Sequence, residues 1–557
     1  MRRFLLLLFL FCLPFSAAAQ FGYQNLHDDE YYLRLLQTSG LTDHDSSFML
    51  RPVSTRGIES EEHPRSHLFT NRTAPLYSPS KGVEANLYEP VLFQSYNTRL
   101  PRGTNDGRLW QGRGYNSAFT TGAEISAGPL NVRLNPVIGM AQNRAFDLGP
   151  YQPPLISSSF YGLRENASVY AYRDFQGYID YVQRYGDSTY SWADLGDSYI
   201  ELKVSAFRLA LSNERIWAGP AVNNALQFGY SAPGFRHIYA GTYRPFHTPA
   251  GSFEIAYIFG KTVESEYFSV NRGIDSHSVQ SLLFVYKPWF SERFIIGLNR
   301  TYFLPFPDNF SDYRNHLGRL FETGLKSNIA RGDDPDNQVV SLFMRYLIPK
   351  KGFEFYIDFG RNDHSADLRD FRAQPAHQGA YTFGAIKTFL LPGEQLLAFF
   401  AEINRFEASR TSLTRNNGYL GGWFTHSGQI LGYTNEGQIM GTGYGPGVNM
   451  QMVKGDLYQK NRSYSLKFAR IVYHNSRTDQ FFEEIRSVND GNIERWQVRN
   501  VEFMAGGEVT TSLNAGLEVT AGLELSYIMN HHNLSGNDLF NTRFELVLRK
   551  NIPGWRR

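Results

Sequence analysis

The chain has 557 residues, a formal net charge of +2 and a single cysteine. So balanced a charge gives no case for nucleic-acid binding. The length is enough for several ordinary domains. Beyond the first 19 residues there is no run of about 18 apolar residues, which excludes helical membrane spans.

Arg2 and Arg3 precede an apolar core from Phe4 to Phe15, broken at Pro14, and Ala17-Ala18-Ala19 follows. Charge, core and small residues in that order mark a secretory signal peptide over 1–19, with the mature chain starting at Gln20. The core is shorter than the roughly 20 residues a spanning helix needs. Cys12 lies inside it behind Leu10 and Phe11, unlike a lipoprotein signal, which places small residues there. Cleavage removes the only cysteine, so disulfides and thiolate metal sites are excluded. Closed strand pairing in a bilayer is a sufficient alternative source of rigidity.

Residues 26–39 read LHDDEYYLRLLQTS and are followed by Gly40. Tyr32, Leu33 and Leu36 recur at helical spacing, the acids come early, and Gly40 is a stop, so a short amphipathic helix is predicted. Residues 51–84 are rich in Pro, Ser, Arg and Glu and read as irregular. Residues 20–85 are placed on the periplasmic side, because a barrel begins there.

From residue 86 a period of two dominates. Leu517, Val519, Ala521, Leu523, Leu525 and Tyr527 share one strand face, and Glu518, Thr520, Gly522, Glu524 and Ser526 share the other. The same alternation runs through 116–127, 130–142, 199–211, 252–259, 353–360, 463–468 and 544–549. Gly128-Pro129, Pro349-Lys350-Lys351-Gly352 and Leu391-Pro392-Gly393-Glu394 read as short turns. Residues 308–337, 361–378 and 409–445 read as long polar loops. Long loops at one end and short turns at the other are the asymmetry of an outer-membrane barrel. At about 25 residues per strand and connection, 86–550 holds roughly 18 strands of transmembrane length, and the barrel domain is taken as 86–557. Aromatics at 15% suit interfacial girdles, and the mean hydropathy of −0.37 suits strands with one face to water. The absence of a fixed repeat argues against a propeller or solenoid. The fold class is therefore all-β: a transmembrane antiparallel barrel with a small N-terminal helical segment.

Two segments carry a resemblance. Residues 101–114 read PRGTNDGRLWQGRG; within 213–254 stand NERIWAGPAVNNAL, SAPGFRHIYAGTYRP and GSFE. Together they resemble the capsule assembly Wzi family in its Bacteroidota-type form, with weaker echoes at 360–363, 432–437 and 443–447. The resemblance implies an outer-membrane barrel of about 18 strands with a periplasmic helical part. It also implies a non-enzymatic role in binding and retaining capsular or related surface polysaccharide. The partners implied are that polysaccharide, outer-membrane lipid and the polysaccharide export machinery. Where the family often has Trp-Trp-Gly-Pro-Gly, this chain has Trp217-Ala218-Gly219-Pro220-Ala221. Where the family has Ser-Asn-Asn before Ala-Pro-Gly-Phe, it has Gly229-Tyr230-Ser231.

Sugar rings offer an apolar face for aromatics and a hydroxyl rim for Asn, Asp, Arg and Glu. Acidic glycans add a preference for arginine. The candidate binding residues are Asn105, Asp106, Trp110 and Arg113 in the first segment, and Arg215, Trp217, Asn223, Asn224 and Arg236 in the second. Against them stands a structural reading, since Asn-Asp-Gly forms turns, Gly-Pro breaks strands and a lone Trp packs. No catalytic residues, cofactor or metal site are assigned. No G-x-S-x-G elbow is present. His531-His532 reads as a loop end, Asp333-Asp334-Pro335-Asp336-Asn337 as a solvated turn, and Gly441 to Gly447 opens no helix. The main alternative is a porin or substrate-specific channel with an open, charge-lined pore. A further alternative is an outer-membrane hydrolase with a Ser–His pair. Capsule, exopolysaccharide and lipopolysaccharide O-chain stay open as ligands.

Overall fold

Side chains along each long strand sort by parity. On Leu517–Met529, Leu523, Leu525 and Tyr527 are exposed while Glu518, Glu524 and Ser526 are buried. Apolar outside and polar inside is what a wall surrounded by lipid requires. The computed structural model describes residues 26–53, 63–65, 77–80, 82–148, 170–173, 178–268, 276–291, 293–321, 337–362, 368–373, 375, 379–407, 423–425, 431–473, 475, 498–513 and 516–550. The predicted signal peptide and residues 333–336 lie outside them.

After the helix α1 (Leu26–Ser39), eighteen antiparallel strands among the described residues close into one barrel. They are β1 (Val83–Asn97), β2 (Gly114–Ala127), β3 (Leu130–Leu134 and Val137–Ala141), β4 (Tyr190–Asp194 and Tyr199–Val204), β5 (Phe207–Ser212) and β6 (Arg236–Thr242). Then follow β7 (Gly251–Val263), β8 (Ser276–Pro288), β9 (Phe294–Pro305), β10 (Asn337–Ile348), β11 (Phe353–Asn362) and β12 (Gly379–Leu391). The circuit ends with β13 (Gln395–Arg405), β14 (Asn449–Tyr458), β15 (Arg462–Val472), β16 (Val501–Leu513), β17 (Leu517–Met529) and β18 (Leu539–Lys550). Closure is by β18 on β1, with Arg543 opposite Asn97 and Arg549 opposite Val91. Among the described residues the eighteen-strand wall itself has no open edge. Every even-numbered strand returns through a short turn to the next odd one, while the odd-to-even connections are the long loops. Both ends of the barrel chain lie at the short-turn end.

Three expectations need correction. Residues 130–142 form two segments rather than one strand. Pro136 lacks the N–H that the ladder needs, and Asn135 turns its own N–H to Ser198 Oγ at 2.9 Å. Residues 199–211 form a hairpin, β4 to β5, turning at Ser205 in the left-handed region (φ 58°). The barrel starts at Val83 and is preceded by a short strand, Tyr77–Ser80, paired to β1 within the stretch read as irregular.

The loops do not all extend into solvent. Residues 98–113, 213–235 and 431–448 fold into the lumen. In the β9–β10 loop, helix α2 (Phe310–Arg319) lies instead on the outer wall. There the Tyr313 hydroxyl meets that of Tyr257 at 3.1 Å. A third helix, α3 (Leu368–Ala373), sets Phe371 against the Arg361 guanidinium at 5.1 Å, also outside.

Candidate functional site

The lumen is filled. Helix α1 ends in a Schellman arrangement, Leu41 N–H to Leu36 O at 2.9 Å and Gly40 N–H to Gln37 O at 3.2 Å, with Gly40 at φ +73°. Its sides are buried nearly all round: Tyr31, Tyr32, Leu33, Leu35 and Leu36, but also Asp29, Glu30 and Arg34. A buried helix carrying charges needs partners, and the inner wall at the short-turn end supplies them. Arg34 Nε donates to Glu354 of β11 at 2.8 Å, and Arg345 of β10 donates to the other oxygen at 2.6 Å. Asp29 pairs with Arg549 of β18 at 2.9 Å, and Arg549 also lies 3.4 Å from Glu89 of β1. Tyr31 Oη donates to Asp456 of β14 at 3.1 Å. Arg345 also donates to Gln37 Oε1 at 2.6 Å, so the helix is bonded directly to β10, β11, β14 and β18.

The second segment is interior architecture. Arg51 and Trp217 are partners in a two-residue antiparallel bridge, Leu50 facing Ala218. Trp217 is fully buried, with the Arg51 guanidinium 4.1 Å over its ring and Tyr230 edge-on at 5.2 Å. Gly219 has φ +98°, and a Cβ there would meet the Asp358 carboxylate at 2.5 Å, so only glycine fits. Pro220 O accepts from Arg34 Nη1 at 2.6 Å. The Glu402 carboxylate of β13 collects the backbone N–H groups of Val222, Asn223 and Asn224 at 2.9, 3.1 and 3.0 Å. The Tyr356 hydroxyl adds a fourth bond at 2.6 Å. At roughly 1.5–3 kcal/mol for each bond to a charged group, this anchor holds the segment across the lumen.

Asn224 is buried, donating to Asn404 at 2.8 Å and accepting from Thr442 at 2.6 Å. Asn105, at φ 56°, donates to Asn223 O at 3.0 Å and so joins the two segments. Arg215 is sealed against Asp197 at 2.9 Å. Asp106 accepts from Gln111 at 2.8 Å, and burial pushes its carboxyl up to about 6. Arg113 donates to Thr98 O at 3.2 Å and also to Ala145 O. Arg236 is not with the others. It shares the outward face of β6 with Ile238, and both are exposed, while His237 and Tyr239 point inward. Strand alternation separates it from the lumen.

Trp110 leads to an aromatic surface at the long-loop end. Its ring lies 5.0 Å from Tyr185, which stacks on Tyr190 at 4.3 Å; Tyr190 continues onto Trp192 at 5.5 Å. Tyr267 stands edge-on to Tyr185 at 5.3 Å and to Tyr170 at 6.1 Å. These rings come from three loops and from the start of β4, which carries Tyr190 and Trp192. Trp110, Tyr185 and Trp192 are buried, and Tyr170, Tyr190 and Tyr267 are half-buried. Gly139 makes room, since a Cβ there would meet the Trp192 ring at 2.5 Å. Around them stand the Arg108–Glu436 ion pair and Arg184 with Asp187 at 2.6 Å. Beneath, Asp180 accepts from Ser265 N and Oγ at 2.7 and 2.6 Å, and burial pushes its carboxyl up to about 6. Aromatic faces bordered by charged and amide groups match the two surfaces of a sugar ring. Tyr185, Tyr190 and Tyr267 were missed by the sequence reading. The same-face spacing of Tyr190 and Trp192 was the available signal.

A closed, even-stranded barrel, apolar outside and with long loops at one end, defines an integral outer-membrane protein. The family model for the capsule assembly protein Wzi matches residues 160–536, and the chain belongs to that family. No curated protein matches the sequence. Among solved structures, it is similar to Wzi of Escherichia coli, described as an outer-membrane protein involved in group 1 capsule assembly and a carbohydrate-binding β-barrel. That similarity has 10% identity and a TM-score of 0.59, covering 96% of this chain and 99% of the other. OprD of Pseudomonas aeruginosa is more distant, at 10% identity and a TM-score of 0.39, covering 85% and 95%.

Proposed function

We propose that this outer-membrane barrel holds capsular or other surface polysaccharide at the cell surface, in a lectin-like way and without chemistry. The observation that carries this is the filled lumen. Helix α1 occupies the short-turn end and residues 213–235 cross the interior, so bulk flow is not what the barrel is built for. That disfavours the porin alternative. At the long-loop end the described residues present the half-buried aromatic cluster around Tyr190 and Tyr267, flanked by Arg108 and Arg184. A polymer engaging many such sites is retained by the sum of weak contacts.

On this reading residues 1–19 are removed as a signal peptide. The chain ahead of β1 starts on the periplasmic side, and residues 26–53 enter the lumen through that mouth. The short-turn end of the plug is then the surface available to export machinery. Planar-bilayer recording beside a polysaccharide pull-down tests the proposal. The expected result is retention of host surface glycan with no steady conductance. Steady conductance with no glycan retained would move the channel reading to first place.

A further inference from the structure

The outer wall carries a second feature that glycan binding does not use. Helix α2 leaves the long-loop end and folds back along the lipid-facing side of β7 to β10. Its inner stripe, Tyr313, Leu317 and the following Leu320, packs on Tyr257, Leu282, Tyr302 and Leu304. Polar groups lie beneath it on a face that elsewhere meets lipid. Arg300 donates to Gln338 Oε1 at 2.8 Å and to Leu320 O at 2.9 Å, the latter satisfying a helix-end carbonyl. An outward arginine at mid-strand is tolerable only where lipid is kept away. The helix therefore stands as a ridge on the wall within the membrane region. Yet Phe310 and Phe321 at its two ends are 78% and 73% exposed.

The side of the ridge facing β6 is a step. Phe259 carries Tyr313 at 4.7 Å and Phe306 at 6.3 Å on one side, and pairs across the strands with Ile238 on the other; Ile238 pairs with Leu211. This apolar floor is topped, at the long-loop end, by the cross-strand pair Arg236 and Lys261, both exposed on the same outward face. The Lys261 ammonium sits 5.1 Å over the Phe306 ring. The acid at the start of the helix, Asp312, is engaged by Asn309 at 2.9 Å.

We infer that this step seats a phosphorylated amphiphile of the outer leaflet. Its chains would lie on Ile238, Phe259 and Phe310, and its phosphate on Arg236 and Lys261. The apolar floor is continuous with the barrel's lipid-facing wall, and the two cations stand where an anionic headgroup layer begins. Arg236, which the lumen does not receive, has its role here.

The test uses the folded full-length protein in mild detergent, with diphosphoryl lipid A as probe and native mass spectrometry as readout. Phosphatidylcholine and inorganic pyrophosphate serve as comparison probes. A membrane-proximal cation contributes roughly fivefold, so R236Q/K261Q is expected to weaken lipid A binding about 25-fold. F306S/F310S weakens it as well, and neither variant changes the heat-modifiable gel mobility that reports a folded barrel. Equal lipid A binding by wild type and R236Q/K261Q overturns the inference. So does equal binding of phosphatidylcholine, or tight pyrophosphate binding without chains. A wild-type dimer that F306S/F310S dissociates, with no lipid retained, would assign the step to a second copy of the chain and overturns it too.

Discussion

Glu354→Gln is the substitution that most directly challenges the plug. Glu354 accepts from Arg34 Nε at 2.8 Å, Thr38 Oγ1 at 2.7 Å and Arg345 Nη2 at 2.6 Å, and all three partners are buried. The amide keeps the shape and removes the charge, leaving two buried guanidinium groups without their counter-ion. Breaking a buried ion pair from one side costs about 3–5 kcal/mol. If α1 is held as described, its opening equilibrium rises by about 10²- to 10⁴-fold. Hydrogen–deuterium exchange of the α1 amides is the assay, with Glu394→Gln in an exposed turn as control. Exchange in α1 should accelerate by two decades or more, with β11 and β12 unchanged, and transient bilayer conductance should appear. Wild-type exchange in α1 with Glu354→Gln would refute the latch.

Removing residues 26–53 should leave a heat-modifiable barrel with measurable conductance; a barrel still closed would mean that the inward loops 98–113, 213–235 and 431–448 block the lumen without α1. Trp217→Ala should destabilise the protein by about 3–5 kcal/mol, as large-to-small changes in a packed core do. Glycan affinity, measured below the melting transition, should stay near wild type. The carboxyls of Asp106 and Asp180 are both pushed up to about 6 by burial, above the unfolded value. The folded loops then bind more protons than the unfolded ones between about pH 4 and 6, so their stability falls as pH rises through that window. For Asp180 the effect is on the order of 3 kcal/mol. Exchange around 179–182, corrected for intrinsic rates, should be slower at pH 5 than at pH 7, and Asp180→Asn should remove the difference.

Much of the wall was legible because period-two alternation is local. Glu518, Glu524 and Ser526 announce an inner face without knowledge of any partner strand. The helix at 26–39 was legible for the same reason, its acids and Gly40 being neighbours in sequence. What sequence could not provide was where loops go. Nothing local tells that the N–H groups of Val222, Asn223 and Asn224 converge on Glu402, some 180 residues away. Trp217 and Asn224 looked like ligand residues because both chemistries, sugar contact and interior bracing, use the same side chains. Arg236 falls on the outer face by strand alternation, which a seven-residue strand with charge on one face and His237 and Tyr239 on the other does not announce. Ser205 turns the chain left-handed without the glycine or asparagine that marks such turns.

On the proposed function, surface polysaccharide is held at the loop-end aromatics. The decisive measurement is a calorimetric titration of the folded protein with polysaccharide from its own host, beside a heterologous capsule. Wild type should bind the host glycan selectively, and Tyr190→Ala/Tyr267→Ala should weaken that binding at least tenfold while the heat-modifiable gel mobility of a folded barrel is kept. Host glycan bound equally well by that variant, or not at all by wild type, would contradict the account.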